Sequence, residues 1–209
     1  MTQTLSHARP PHRRTIVLFH SLLGLRPGVL QWADRLRDAG HTVHTPDLYD
    51  GEVFDDNVSA ARKVQEFGFD GLLARANASV SGLPNELVYA GFSNGGACAE
   101  LLAATRPGAQ GAILMHAPLP IRALGWKVWP ATVPVQVHFA EKDPLRSQTI
   151  VDALAASVRS SGASFQQHDY PCSGHLFADP DLPAYNAAAS QLMFERVLGF
   201  LEGIAVRGA

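Results

Sequence analysis

The chain has 209 residues, 46% of them hydrophobic, and a formal net charge of −2. That size suits a single domain with a full core, and the near-neutral charge gives no electrostatic case for nucleic acid or an anionic membrane as a partner. No apolar run approaches the roughly 20 residues of a membrane span.

Residues 1–13 read as a flexible leader without the apolar core of an export signal, and residues 14–209 as one folded domain. Residues 15–19 form a continuous apolar run, as in a buried parallel strand. A glycine-containing loop, 20–28, leads into an amphipathic helix over 29–39 that Gly40 stops. A second strand over 42–45 is closed by Pro46-Asp47-Leu48-Tyr49. Residues 57–66 and 69–80 read as two helical pieces, because Phe67-Gly68-Phe69 argues against one unbroken helix. The third strand, 85–90, runs into Gly91-Phe92-Ser93-Asn94-Gly95-Gly96 and a helix that ends at Arg106-Pro107-Gly108. Strands at 111–116, 133–140 and 165–170, a helix at 147–161 and a closing helix at 184–201 complete the chain. This alternation predicts βαβ units, a mostly parallel sheet and helices on both faces. Ligands of such sheets bind at the carboxyl ends of the strands.

Three strand ends carry a coherent set of polar residues. Ser93 sits in Gly-x-Ser-x-Gly between a strand and a helix, the context of a nucleophile elbow. Gly91 and Gly95 keep that bend tight, since a Cβ at either position would crowd it. Asp143 follows the fifth strand and His175 the sixth, giving the α/β-hydrolase order Ser, Asp, His. A serine hydroxyl is a poor nucleophile until a base takes its proton; His175 would be that base, and Asp143 would hold its tautomer. Glu141 is a rival acid, but Asp143 lies further past the strand, on the loop. The backbone N–H groups of Asn94 and Leu22 would form the oxyanion hole.

Two cysteines are too few for a disulfide framework, so a reducing, cytoplasmic setting is the default. Cys98 reads as a core residue, and Cys172 either lines the site or simply packs. Trp126 and Trp129 wall the substrate pocket or pack over the sheet edge. His41 and His44 point to opposite faces of a strand, and no Cys/His spacing matches a zinc site, so no metal is expected. No dinucleotide or phosphate-loop motif occurs. The expected partner is a small molecule, with the protein a monomer or homodimer and no nucleic acid or membrane involved.

The stretches Ile16–Gly24, Pro46–Tyr49, Gly91–Gly96 and Tyr170–Phe177, together with the triad separations, make the chain resemble the dienelactone hydrolase family. The resemblance implies a single-domain α/β-hydrolase fold with no large cap domain, and cofactor-free hydrolysis of a small ester or lactone through an acyl-enzyme. Best-known members use Cys where Ser93 stands, carry a Glu where Ser21 stands, and bind a substrate carboxylate with an Arg where Asp179 stands. The loop after Tyr49 supplies further substrate contacts in those members and is shorter here. Ser21, Tyr49 and Asp179 are therefore candidate substrate contacts, and Trp126 is a further candidate from its place in the loop after the fourth strand. The pair Asp179 and Asp181 would disfavour an anionic substrate, unless Arg26 or Arg122 replaces the missing cation. The alternatives are a general carboxylesterase or thioesterase without lactone preference, or a non-catalytic protein of this fold that binds a ligand or partner.

Overall fold

The structure, a computed structural model, describes residues 12–118 and 128–205. In chain order these hold β1 (Thr15–Phe19), α1 (Pro27–Asp38), β2 (Thr42–His44), α2 (Asn57–Ser79), β3 (Val88–Phe92), α3 (Asn94–Thr105), β4 (Gly111–Met115), β5 (Val135–Ala140), α4 (Gln148–Ser160), β6 (Phe165–Tyr170) and α5 (Ala187–Gly203). The strands form one sheet in the order β2-β1-β3-β4-β5-β6, and every pairing is parallel.

Strand period explains the two cores. Successive side chains point to opposite faces, so Val17 and Phe19 of β1 join one apolar cluster while Ile16 and Leu18 join the other. In β4, Ala112 and Leu114 divide from Ile113 and Met115 in the same way. The first cluster is covered by α2, α3 and α4 through residues such as Leu72, Leu102 and Leu154. The second is covered by α1 and α5, where Trp32 meets Phe194 edge-on at 5.4 Å between ring centroids. A strand buried on both faces has no polar side to alternate with, which is why its sequence reads as a continuous apolar run.

Some boundaries differ from expectation for local reasons. The third strand starts at Val88 rather than 85, because the Asn85 carbonyl accepts the Leu87 N–H in a turn. The closing helix starts at Ala187 rather than 184, where the Asn186 side chain caps the Ala189 N–H. α2 breaks as expected at Gly68, whose φ of 71° and ψ of 171° interrupt the helix. Of the expected leader, residues 1–11 lie outside the described residues, while Arg13 is already tied to Thr42 Oγ1 by two hydrogen bonds.

The strand order has a functional consequence. The chain leaves β1 toward β2 on one side, and β3 returns on the other. At that switch the loops after β1 and β3 diverge and leave a crevice. Ser93 lies immediately past the end of β3 at this point.

Candidate active site

The elbow is built by close backbone approach. Ser93 adopts φ 51° and ψ −117°, a strained conformation for a residue with a side chain. Its N–H is held by the Met115 carbonyl at 2.7 Å, and its own carbonyl accepts the Gly96 N–H at 2.7 Å. A Cβ on Gly91 would lie 2.1 Å from the Gly95 carbonyl oxygen, and one on Gly95 would lie 2.3 Å from that of His20. Both glycines are therefore required by contact, and Gly95 packs the start of α3 directly against the end of β1.

His175 bridges the other two candidates. Its Nε2 is 2.9 Å from Ser93 Oγ, and its Nδ1 is 2.8 Å from Asp143 Oδ2. A carboxylate accepts only, so Nδ1 carries the proton and Nε2 is left to accept from the serine hydroxyl. Asp143 is brought in by a turn in which its N–H returns to the Ala140 carbonyl. Glu141, by contrast, is exposed to solvent. Burial by itself would raise the Asp143 pKa. The hydrogen bonds from His175 and the Leu145 N–H, with the nearby imidazoles, outweigh it and hold the carboxyl below its ordinary value.

A fourth strand end adds His116, which lies just past β4 at φ 65°. Its ring stands edge-on to His175 and to Phe177, with Nδ1 3.9 Å from Asp143 Oδ2. Both ring nitrogens are buried without a hydrogen-bond partner. Burial, reinforced by His175, pushes its pKa down to about 3, so the ring is neutral. The sequence reading places His116 inside the fourth strand, 111–116, whereas the strand ends at Met115 and leaves His116 as the polar residue just past it.

The loop after β1 is fixed by side chains. His20 donates from Nδ1 to the Ser21 carbonyl at 2.8 Å and accepts the Leu48 N–H on Nε2 at 3.0 Å. Ser21 Oγ accepts the Leu23 N–H at 3.2 Å. Ser21 is thus turned into its own loop, where it shapes the backbone around Leu22. Tyr49 is fully buried, edge-on to His20 and Phe54. Asn94 opens α3 directly after Ser93, so its N–H lies at the positive end of the helix dipole.

Beside Ser93 lies a cavity of about 250 Å³ whose wall includes Phe69, Ala97, Pro118, Phe139, Leu145 and Ile150. Asn94, His116, Ser147 and His175 supply its polar atoms, and no Lys, Arg, Asp or Glu lines it among the described residues. Phe69 was expected only as a helix residue and Leu145 only as part of a loop; spacing along the chain carries no sign that they meet.

Several expected contacts fall elsewhere. Ser21 and Tyr49 do not line this cavity. Asp179 is 4% exposed and packs over the first turn of α1, where a Cβ on Gly28 would lie 1.9 Å from its Oδ1. An acid there complements the helix N-terminus and accepts the Asp181 N–H at 3.0 Å, so its position is explained by anchoring the loop after His175. Arg26 is engaged by the Phe54 carbonyl and Asp55. Trp129 packs in the core and donates to the Val133 carbonyl at 2.7 Å. Trp126 and Arg122 lie outside the described residues.

Cys172 is also absent from the cavity wall and packs against the second core. Burial pushes its thiol pKa up, the opposite of what a nucleophilic thiolate needs. Cys172→Ala is expected to keep esterase activity within about threefold, because the thiol does not line the cavity and makes no hydrogen bond to Ser93, Asp143 or His175. A dead Cys172→Ala enzyme that remains folded would require a thiol mechanism.

The chain matches the model of the dienelactone hydrolase family over residues 3–205. No curated protein matches the sequence. Among solved structures, it is similar to a dienelactone hydrolase-like promiscuous phosphotriesterase, P91, from metagenomic libraries. The identity is 22%, the TM-score 0.77, and the match covers 94% of this chain and 88% of that one. A Klebsiella pneumoniae protein assigned as a dienelactone hydrolase is 19% identical, with a TM-score of 0.73 and coverage of 95% and 90%. Esterase 2 of Thermogutta terrifontis in its apo form is 16% identical, with a TM-score of 0.57 and coverage of 97% and 89%. At these identities the structures speak for the fold; the family rests on the near-complete match to its model. The chain belongs to the dienelactone hydrolase family of ester-bond hydrolases.

Proposed function

We propose that this protein is a serine hydrolase that cleaves a small, neutral ester or lactone through an acyl-enzyme. The observation that carries the reading is the unbroken relay Asp143–His175–Ser93, with links of 2.8 and 2.9 Å, beside a mostly apolar cavity. Ser93 Oγ attacks the carbonyl as His175 Nε2 takes its proton, and the same proton then goes to the leaving alkoxide. Asp143 keeps Nδ1 protonated throughout and stabilises the imidazolium. The N–H groups of Asn94 and Leu22 receive the developing oxyanion, at the N-terminal end of α3 and in the loop that His20 and Ser21 shape. Water repeats the sequence on the acyl-enzyme and releases the acid.

The test is covalent labelling. A fluorophosphonate should modify Ser93 alone, and the labelled peptide is identified by mass spectrometry. The Thermogutta esterase 2 has been captured phosphorylated by paraoxon, the same class of adduct. Labelling at another residue, or none on folded protein, would remove the assignment.

The cavity wall supports a preference for neutral substrates. An unpaired carboxylate entering a partly desolvated pocket is costly, and no cationic side chain lines this one among the described residues. Neutral short-chain esters are expected to exceed matched carboxylate-bearing esters in kcat/KM by about tenfold or more, corresponding to a penalty of roughly 1.4 kcal/mol. Since Asp179 is buried against α1, Asp179→Asn should leave that ratio unchanged. Faster turnover of the carboxylate-bearing ester would mean that a cation reaches the pocket.

A further inference from the structure

We propose that His116, Asp143 and His175 form an inhibitory zinc site, in which a bound ion switches the proposed triad off. The three side chains offer two imidazole nitrogens and a carboxylate oxygen, with one ligand atom from each lying within 4.8 Å of the others. Two histidines and an acid are a recurrent zinc ligand set. Zinc bonds of about 2.0–2.2 Å in a tetrahedron put ligand atoms roughly 3.3–3.6 Å apart. The Nδ1 of His116 is 3.9 Å from Asp143 Oδ2 and that of His175 is 2.8 Å from it, so these separations bracket the required value. Small side-chain rotations would reach it.

His116 supplies the independent observation. A buried imidazole with both nitrogens unpartnered forgoes hydrogen bonds it would make in water. The ring is held by Phe177 and Phe92, with Nδ1 the atom near the carboxylate. A metal ion would give that lone pair a partner. His116 and His175 both border the cavity, while the third ligand, Asp143, is fully buried. Chain spacing hides such a site, because its ligands follow three different strands.

The switch follows from the tautomer. To ligate zinc through Nδ1, neutral His175 must move its one proton to Nε2. No proton is gained or lost by the ring, and nothing is oxidised. With Nε2 protonated, the atom that must accept the Ser93 proton has no lone pair, and the base is disabled while the ion stays. Imidazole ligands select zinc or cobalt over magnesium and calcium, which prefer oxygen.

This inference rests on the triad reading for its effect on rate, but not for binding. Two measurements separate them. In the first, cobalt(II) is titrated into Ser93→Ala protein, which needs no turnover. A visible absorption band of a low-coordinate cobalt site is expected, and it should be lost in Ser93→Ala/His116→Phe and in Ser93→Ala/His116→Gln. In the second, hydrolysis of a neutral ester by the unsubstituted protein is followed under buffered zinc. Saturable inhibition to below about a tenth of the starting rate, reversed by EDTA and absent with magnesium, is expected. The zinc concentration for half-inhibition, read against each variant's own rate, should rise at least about tenfold in His116→Phe and His116→Gln. Absence of the cobalt band, zinc-insensitive hydrolysis, or equal inhibition in the folded His116 variants would overturn the proposal. A normal cobalt band together with an active Ser93→Ala enzyme would instead leave the site standing and remove the serine mechanism.

Discussion

Ser93→Ala is expected to lose hydrolysis of a neutral ester by about four to six orders of magnitude in kcat. Its fold and substrate affinity should be retained. The size of the effect comes from the covalent route. Without Oγ there is no acyl-enzyme, and what remains is water attack assisted by oxyanion donors and by substrate positioning. Removing the small hydroxyl leaves the elbow intact, because Gly91 and Gly95 set the bend and the Ser93 backbone, rather than its side chain, is bonded to Met115 and Gly96. His175→Ala should lose a comparable amount. The double variant Ser93→Ala/His175→Ala should be little worse than either single one, since nucleophile and base act as a unit. Normal turnover by Ser93→Ala, or fully additive losses in the double variant, would contradict the relay.

What was legible in the sequence follows from which physical constraints are local. β1 and β6 fall at the residues read from their sequence, and the break in α2 falls at Gly68. Apolar runs, β propensity and a glycine needed at positive φ are properties of neighbouring residues. The relay was legible because a parallel sheet puts the residues after its strands at one edge, so chain order and strand ends were enough to bring Ser93, Asp143 and His175 together. The pocket was not. Phe69, Leu145 and Ile150 meet only through tertiary packing, and family correspondence was a poor guide to it. Asp179 occupies the place of a substrate-binding cation, yet its carboxylate serves the first turn of α1. Ser21 stands where the family has a Glu, yet it bonds its own loop. A position carries over with the backbone, whereas the direction of a side chain depends on its neighbours.

Beneath α5, a polar group inside the sheet sets the second large effect, a loss of stability in acid. His138 is fully buried on β5. Gln136 commits its amide nitrogen to Gln166 Oε1 and the Arg196 carbonyl, so its oxygen accepts from His138 Nε2 at 2.9 Å. Nε2 therefore carries the proton, and Nδ1 accepts the Tyr170 hydroxyl at 2.7 Å. The neutral ring is satisfied at both ends, and a second proton would force the Tyr170 hydroxyl to turn from donor to acceptor and would leave a charge buried inside the sheet. Around it stand His168 and Tyr170 of β6, Arg196 of α5 and His116 after β4. Burial first, then His168, His116 and Arg196, hold the His138 pKa well below its ordinary value.

The sign follows from proton counting. Below about pH 6.5 the unfolded chain binds a proton at this histidine and the native chain does not, so unfolding is favoured as pH falls. The slope is about 1.4 kcal/mol per pH unit, or about 2 kcal/mol between neutrality and pH 5. Urea unfolding at pH 7.5 and pH 5 should show this in the unsubstituted protein. In His138→Gln, whose amide can still donate and accept but cannot titrate, stability at pH 7.5 should fall while the drop on going to pH 5 shrinks by about 2 kcal/mol. His20, His41, His116 and His168 are depressed as well and act in the same direction, but they are present in both proteins and cancel in the comparison. An equal drop in the two proteins would show that native His138 takes up its proton in acid despite its burial beside His168, His116 and Arg196.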